Sequence, residues 1–258
     1  MGDKSMTSGI EFGDKLAEGK TKVIYAFPGK DHLVYMLHKD GITAGDGARR
    51  NELPGKGILA CRTNSNVFYL LELEGIRTHY IGMVAPNINL VNRCTMVPLE
   101  VVMRRIATGS YLKRVLGSSE GDRFDPVLVE TFLKDDARHD PQVTDAEIQD
   151  LGLATADEIA FMHETGRRVF EILEREWAAQ DVTLVDCKIE FGRDQNGRLM
   201  VADVIDNDSW RIWPGGDKNK MLDKQIYRNM PEVTDERLRE LLIKYQQVAD
   251  LTDQFVEE

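Results

Sequence analysis

The sequence is poor in the features that mark secreted and membrane proteins. It has only three cysteines, Cys61, Cys94 and Cys187, and none of them belongs to a Cys-x-x-Cys pair. An odd number of isolated cysteines does not support a disulfide framework and indicates a reducing compartment. No apolar run approaches the roughly 20 residues of a membrane-spanning helix, and the polar start lacks the apolar core of a secretory signal. We therefore expect a cytoplasmic protein without a membrane partner.

Positive charge is also scarce. The 258 residues carry 44 acidic and 33 basic side chains, for a formal net charge of -11. This balance argues against general attraction to nucleic acid, so an anionic ligand needs a local basic patch. With 42% hydrophobic residues the chain can bury a core in one large domain or two modest ones. Self-association is left open.

The apolar spacing predicts an α+β protein. In the first third we predict strands at residues 23–25, 33–37 and 79–84 and a helix over 64–74. Longer segments follow Pro98, which suggests an N-terminal lobe over 1–97 and a C-terminal lobe over 98–258.

Two long helices are predicted in the second lobe. Thr155 and Glu158 form a capping-box pattern before an apolar stripe that ends near Gln180. Thr234 precedes a similar stripe close to the C-terminus.

A glycine turn lies near the start. Gly19-Lys20-Thr21 matches the end of the GxxxxGK[ST] phosphate-loop pattern, but Asp14 stands where that pattern requires glycine. A β-rich run follows instead of a helix. We predict a strand, a tight turn and a second strand, with Lys20 and Lys22 placed to cover a polyphosphate. A hairpin with solvated lysines is the open alternative.

A pair of carboxylates is predicted across a second hairpin. Asp186, Lys188 and Glu190 alternate onto one face of a strand, and Asn196-Gly197 supplies a two-residue turn. Counting back from that turn sets Glu190 opposite Asp203. Two opposed carboxylates repel unless a cation lies between them, which favours Mg²⁺ held together with nucleotide phosphates. The alternative is a solvated face on which Lys188 pairs with Glu190 and Asp186.

Basic residues cluster after Pro98 in an otherwise acidic chain: Arg104, Arg105, Lys113 and Arg114. Ser110 is expected to cap a short helix within this cluster. A hydroxyl, free N–H groups and guanidinium groups together suit a phosphate monoester. A salt-bridged surface is the alternative.

Three further segments are unusually polar. Residues 43–50 form a double-glycine loop with Asp46 and Arg49, and residues 134–141 bunch carboxylates around His139. A histidine in such a setting is more typical of a surface ion pair than of a catalytic base. The third segment is residues 206–213, in which Arg211 lies between Trp210 and Trp213. Aromatic neighbours commonly orient a guanidinium for an anionic ligand. A solvated loop is the alternative for each of the three segments.

Several of these blocks together resemble the SAICAR synthetase (phosphoribosylaminoimidazole-succinocarboxamide synthase) family. In chain order they are KLAEGKTKVIY, ITAGDGARRN, EVVMRRIATGSYLKR, FLKDDARHDPQ, LVDCKIEFG and VADVIDNDSWRIWPGGDK. The likeness runs from Lys15 to near the C-terminus. The last block is more similar to the synthetase half of the animal bifunctional enzyme than to the short bacterial form.

The resemblance implies an ATP- and Mg²⁺-dependent carbon–nitrogen ligase of purine biosynthesis. Such an enzyme condenses carboxyaminoimidazole ribonucleotide (CAIR) with L-aspartate and yields SAICAR, ADP and phosphate. The implied fold is two-lobed and related to ATP-grasp and kinase-like folds, with mostly antiparallel sheets and the nucleotide between the lobes.

Matching motifs also imply site residues. ATP would contact Gly19, Lys20, Thr21, Lys22, Lys188, Glu190 and Asp203, of which Lys20, Lys188 and Asp203 would be catalytic. Glu190 and Asp203 would hold Mg²⁺. The substrates would contact Asp46, Arg49, Arg104, Ser110, Asp136, His139, Asp140 and Arg211. Cys61 and Arg62 stand where the family suggests an Asn-Lys-like pair.

Two other functions fit the same residues. A small-molecule kinase would use the glycine turn, lysines and carboxylates to transfer phosphate to a hydroxyl, without aspartate. A non-catalytic nucleotide-binding module would bind ATP without consuming it.

Overall fold

The structure is a computed structural model that describes residues 9–45 and 47–257. The chain is an α+β protein and forms two compact units. The first contains residues up to Thr95, 192–202 and the segment from Ile226 onward; the second contains 96–191 and 203–225. These units interleave along the chain, so they do not coincide with two lobes divided at Pro98.

An antiparallel five-stranded sheet forms the body of the first unit, in the order β1-β2-β3-β7-β6. A separate hairpin pairs β4 with β5. The strands are β1 (Lys15–Glu18), β2 (Lys22–Ala26), β3 (Leu33–His38), β4 (Gly41–Ala44), β5 (Arg49–Glu52), β6 (Tyr80–Ala85) and β7 (Ile88–Asn92). The three strands predicted in this region are confirmed as β2, β3 and β6.

Helix α1 (Lys56–Leu73) begins eight residues earlier than predicted. Gly55 occupies the N-cap position with φ 92°, a conformation that favours glycine. The carboxylate of Asp40 accepts a hydrogen bond from the backbone N–H of Gly57 at 2.8 Å. The helix therefore starts at a cap supplied by a residue outside the helix, which an apolar pattern does not reveal.

The C-terminal helix belongs to the first unit. Thr234 caps α6 (Asp235–Asp253), as predicted. Arg62 of α1 pairs with Asp253 and, at 3.0 Å, with Asp250 of α6. The unusual Arg62 therefore ties two helices together.

The second unit contains a sheet in the order β9-β8-β10, with β12 also pairing with β10. Its strands are β8 (Thr95–Ile106), β9 (Arg123–Leu133), β10 (Val182–Arg193) and β12 (Trp210–Pro214). The short β11 (Leu199–Ala202) belongs to the first unit. The remaining helices are α2 (Ser110–Arg114), α3 (Asp145–Asp150), α4 (Ala156–Ala179) and α5 (Gln225–Asn229).

The predicted capping box of α4 is confirmed, because Thr155 and Glu158 bond reciprocally. Every apolar residue of its predicted stripe is buried: Ile159, Met162, Val169, Phe170, Leu173 and Trp177. A Cβ at Gly166 would lie 3.0 Å from the sulfur of Met103, so glycine lets α4 approach β8 closely. None of the described helices is long and apolar enough to cross a membrane.

Candidate active site

The glycine turn of the first unit is a hairpin, as predicted. Strands β1 and β2 pair antiparallel, and the backbone N–H of Gly19 bonds to the carbonyl of Lys22 at 2.9 Å. Gly19 and Lys20 are exposed, while Thr21 and Lys22 are half-buried. Hydrogen bonds from Lys39 and then Lys15 lower the pKa of Glu18 to about 2.

The loop over residues 43–50 forms the tip of the β4–β5 hairpin. Asp46 lies outside the described residues. Arg49 donates hydrogen bonds to the carbonyls of Tyr227 and Met230 at 2.9 and 2.8 Å. Its guanidinium also lies over the Tyr227 ring. Arg49, the first residue of β5, thus fixes the loop end of the hairpin to α5 and to the residue that follows this helix.

Strand β10 holds the predicted acid–lysine pair, and it is not a solvated face. Glu190 is only 3% exposed. The ammonium of Lys188 lies 3.0 Å from Glu190 and 2.7 Å from Glu100, and that of Lys134 lies 2.6 Å from the other oxygen of Glu190. Burial acts to lower the pKa of Lys188, but the charges of Glu190 and Glu100 outweigh it and raise this pKa. Lys188 therefore stays protonated.

The predicted turn after β10 is wrong by one residue. The backbone N–H of Asp194 donates to the carbonyl of Arg198, so the loop consists of the three residues 195–197 instead of two. The side chain of Asp194 accepts from the N–H groups of Asn196 and Arg198, and Gly197 has φ 76°. A three-residue loop with a left-handed glycine is the next most common hairpin type.

This shift removes the register that placed Glu190 directly opposite Asp203. Asp203 lies just beyond the end of β11, with φ 67°. Such a backbone conformation is costly for a residue other than glycine and is often found at functional sites. Metal binding by Glu190 and Asp203 therefore stays a prediction, and the strand register no longer supports it.

A second group of charges lies in the same unit. Arg104 is 4% exposed and donates to Glu130 at 2.6 Å and to Asp186 at 2.7 Å. Arg211, which pairs with Asp186 across β10 and β12, also donates to that carboxylate. Arg114 reaches the other oxygen of Glu130 at 2.9 Å. Two of the predicted substrate-binding residues, Arg104 and Arg211, thus share one network with Arg114 and the carboxylates of Glu130 and Asp186.

Gly109 places the Arg211 guanidinium beside the turn that enters α2. A Cβ at Gly109 would lie 2.7 Å from a terminal nitrogen of Arg211, and its φ is 61°. Gly109 itself takes the N-cap position, so the predicted capping role of Ser110 is wrong. Ser110 is exposed at the first helical position. The structure therefore brings Arg104, Arg211 and the Gly109-Ser110 turn together.

The predicted acidic segment is a short structured loop. Residues 136–138 form a 3-10 turn, and the side chain of Asp140 accepts from the backbone N–H of Asp135 at 2.8 Å. His139 and Asp140 have φ values of 58° and 47°. Positive φ values at residues other than glycine are often found at functional sites, and the role of this segment stays a prediction. Asp136 belongs to the turn, and its side chain lies outside the described set.

Residues 206–209 are also tightly ordered rather than solvated. The carboxylate of Asp206 accepts from the N–H of Asp208, and the hydroxyl of Ser209 bonds to Val204. Nearby, burial raises the pKa of Asp223 to about 6, although two backbone N–H groups donate to its carboxylate.

Sequence reasoning missed Glu100, Glu130 and Lys134. Glu100 and Glu130 are lone acids inside apolar strand runs, PLEVV and LVETF, and that contrast was an available signal. Lys134 had no comparable signal. Its contact with Glu190 joins residues 56 positions apart.

No group of three or more His, Cys, Asp or Glu side chains that could hold a metal occurs within residues 9–45 and 47–257. A site built only from clustered protein ligands is therefore not seen in that part of the chain. A site that shares one or two carboxylates with a ligand's phosphates remains compatible with this arrangement.

Sequence comparison identifies strong similarity to known proteins. A model of the SAICAR synthetase family matches residues 15–243. The phosphoribosylaminoimidazole-succinocarboxamide synthase of Roseiflexus sp. (strain RS-1) is 60% identical, covering 96% of this chain and 99% of its own. A probable multifunctional protein of Caenorhabditis elegans is 46% identical, and the match spans 58% of that protein. The expected greater likeness to the animal form is not supported by these identities.

Solved structures agree. The phosphoribosylaminoimidazole-succinocarboxamide synthase of Ehrlichia chaffeensis has a TM-score of 0.84 at 30% identity, covering 93% of this chain and 98% of its own. A SAICAR synthetase in complex with ADP has a TM-score of 0.80 at 35% identity, covering 90% and 97%.

Proposed function

The chain belongs to the SAICAR synthetase family, and we propose that it joins CAIR to L-aspartate at the expense of ATP. The products are SAICAR, ADP and phosphate. This makes the protein a carbon–nitrogen ligase of de novo purine biosynthesis. Its expected partners are the three small-molecule substrates, and the cytoplasm is the proposed location.

The pairing of Lys188 with buried Glu190 is the observation that carries this proposal. A buried carboxylate flanked by ammonium groups is a preorganised set of charges, which can act on a polyphosphate without rearranging water. Glu190 forms ion pairs with both Lys134 and Lys188. We assign Lys188 to the nucleotide. Gly19, Lys20, Thr21 and Lys22 are proposed as ATP contacts because they match the family motif.

Magnesium fits the donor chemistry of these residues. Glu190 and Asp203 offer hard oxygen ligands, and Mg²⁺ usually combines one or two carboxylates with substrate phosphates. When bound, the ion would neutralise charge on those phosphates. Lys134 and Lys188 already balance Glu190 in this structure, so a cation held there would share the carboxylate with them.

The Arg104–Asp186–Arg211 network supports a site for the ribonucleotide's phosphate. The buried carboxylate of Asp186 fixes both guanidinium groups, and fixed arginines bind phosphates with defined geometry. We assign Arg104, Arg211 and Ser110 to this phosphate. Binding energy from a remote phosphate can align the reacting carboxylate.

The aspartate side is assigned to two loops. One is the strained segment that carries Asp136, His139 and Asp140; the other is the β4–β5 tip, with Asp46 and the fixed Arg49. No described residue identifies itself by geometry as the base for the attacking amine.

The chemistry follows from the weakness of a carboxylate as an acyl donor. ATP transfers its terminal phosphoryl group to a carboxylate oxygen of CAIR and leaves as ADP. The neutral amine of aspartate attacks the carbonyl carbon, and the C–O bond breaks to release phosphate that carries the former carboxylate oxygen. Positioning and charge neutralisation supply most of the rate enhancement in such transfers.

An assay with one omitted substrate separates the candidate functions. The protein is incubated with ATP, Mg²⁺ and CAIR, with and without aspartate, while ADP and the coupled product are followed. The ligase forms both stoichiometrically only when aspartate is present. ADP release at full rate without aspartate would indicate a kinase, and no ADP release with all substrates would indicate a binding module.

A further inference from the structure

A cavity in the first unit lies outside all of the residues assigned above. Its volume is about 250 Å³. The charged and polar lining includes His32, Arg77, Arg93, Asp194, Asn196 and Arg198. These residues come from the loop before β3, the loop after α1, the residue following β7, and the turn after β10.

Two of the cavity's arginines have no partner in the described chain. Neither Arg77 nor Arg93 forms a side-chain hydrogen bond or an ion pair within residues 9–45 and 47–257. Most other arginines discussed above are held by carboxylates or carbonyls. Both residues are exposed to solvent, so their guanidinium groups are accessible to a ligand in the cavity.

The acids near the cavity are already engaged elsewhere. Both oxygens of Asp194 are bonded, one to the N–H groups of Asn196 and Arg198 and the other to the guanidinium of Arg198. These hydrogen bonds lower the pKa of Asp194, so its carboxylate is ionised and committed to the turn. Glu72 is bonded to Thr78 through both the backbone N–H and the hydroxyl of that residue. Neither acid is thus directed at Arg77 or Arg93.

We propose that this cavity is a second anion-binding site, for a compact polyvalent oxyanion such as phosphate or pyrophosphate. Guanidinium groups present forked donors that match the oxygens of these ions, and a concave wall concentrates their field. The volume is below the roughly 300 to 1,000 Å³ of pockets for drug-sized ligands, so a compact ion fits better than a nucleotide. Bound there, the anion bridges the loop after α1, the end of β7 and the turn at Asp194.

Equilibrium dialysis with inorganic phosphate and, separately, pyrophosphate tests the site. Chloride keeps the ionic strength constant because exposed charges are screened by salt. Wild type is compared with two double variants. Arg77→Gln/Arg93→Gln removes the two arginines of the cavity. The control, Arg123→Gln/Arg239→Gln, removes the same charge from two exposed arginines elsewhere. We expect the first variant to bind one anion fewer per chain, or to bind it with about tenfold lower affinity. The control should match wild type. Equal binding by all three proteins would overturn the proposal.

Amide NMR of the wild-type protein gives an answer that does not depend on the variants' folding. Phosphate should shift the amide signals of Arg77, Arg93, Asn196 and Arg198 in a saturable way. If these signals stay unchanged, or respond equally to chloride, the cavity does not bind the anion.

Discussion

The ammonium group of Lys134 lies 2.6 Å from the carboxylate of Glu190. Lys188 occupies the other oxygen at 3.0 Å, and Glu190 itself is almost fully buried. A buried carboxylate between two ammonium groups is held in one place, and removing either partner would leave it poorly compensated. This fixed negative charge beside lysines is what the proposed nucleotide chemistry needs.

Replacing Glu190 by glutamine should impair catalysis far more than folding. Glutamine keeps the shape of the side chain but removes the charge that would help hold Mg²⁺. We expect turnover to fall by about a hundredfold, with a higher Mg²⁺ concentration needed for half-maximal rate. Steady-state rates across a Mg²⁺ titration measure both effects.

Glu174→Gln is the matched control. Glu174 also forms a partly buried ion pair in the second unit, with Arg105 at 2.7 Å, but is assigned no part in the reaction. Its variant should keep turnover within a few fold of the parent. An equal loss in both variants, or no loss in either, would contradict the role of Glu190.

Gly109→Ala should weaken ribonucleotide binding by displacing Arg211. The new methyl group would lie 2.7 Å from a guanidinium nitrogen. We expect the KM for CAIR to rise by about tenfold or more, because a fixed guanidinium is lost from the phosphate. Initial rates at varied CAIR concentration give this value.

Gly117→Ala is a control that separates the effect of backbone strain from the displacement of Arg211. Gly117 also has a positive φ, 87°, but a Cβ there would meet no atom of the described residues within 4 Å. Both variants should lose about 1 kcal/mol of stability or more, because each places a Cβ on a residue with positive φ. Only Gly109→Ala should raise the KM, and a similar rise in Gly117→Ala would remove Arg211 from the phosphate site.

Two buried histidines predict a fall in stability below neutral pH. Burial lowers the pKa of His38 to about 4 and of His79 to about 3. The unfolded chain binds protons near the ordinary pKa of 6.5, whereas the folded chain does not until the pH is much lower. The contribution of the two neutral histidines to the free energy of unfolding is thus fully present above pH 6.5 and is lost as pH falls towards 4. The loss is about 1.4 kcal/mol per pH unit for each proton bound on unfolding.

His79→Leu tests this pH dependence. Among the residues that the structure describes, the buried Nε2 atom of His79 has no hydrogen-bond partner, so leucine removes both the titration and an unsatisfied polar atom. We expect urea unfolding to show a shallower slope between pH 6.5 and 4, with no loss of stability at neutral pH. Exposed His32→Gln should leave the slope unchanged; an unchanged slope in His79→Leu would contradict the prediction.

Features with a local signal were predictable from the sequence. The Thr155 and Thr234 caps mark the starts of α4 and α6, and the glycine turn at Gly19 marks a hairpin. The family motifs also predict which lysines, arginines and acids form the site, and these assignments stay predictions.

Features that depend on distant partners were not predictable in this way. Helix α1 begins where it does partly because Asp40 caps it, and the turn after β10 gains a residue because the Asp194 side chain bonds to it. The placement of Lys134 on Glu190 depends on how β9 and β10 are brought together in the fold. Periodicity within a single segment carries no information on such contacts.

Isotope transfer from CAIR to phosphate tests whether ATP activates the substrate's carboxylate. CAIR labelled with heavy oxygen in both carboxylate positions is converted with ATP, Mg²⁺ and aspartate, and the phosphate released is analysed by mass spectrometry. One labelled oxygen in each phosphate, with the other retained in the new amide, is the result expected. Unlabelled phosphate formed alongside SAICAR would contradict phosphorylation of the carboxylate.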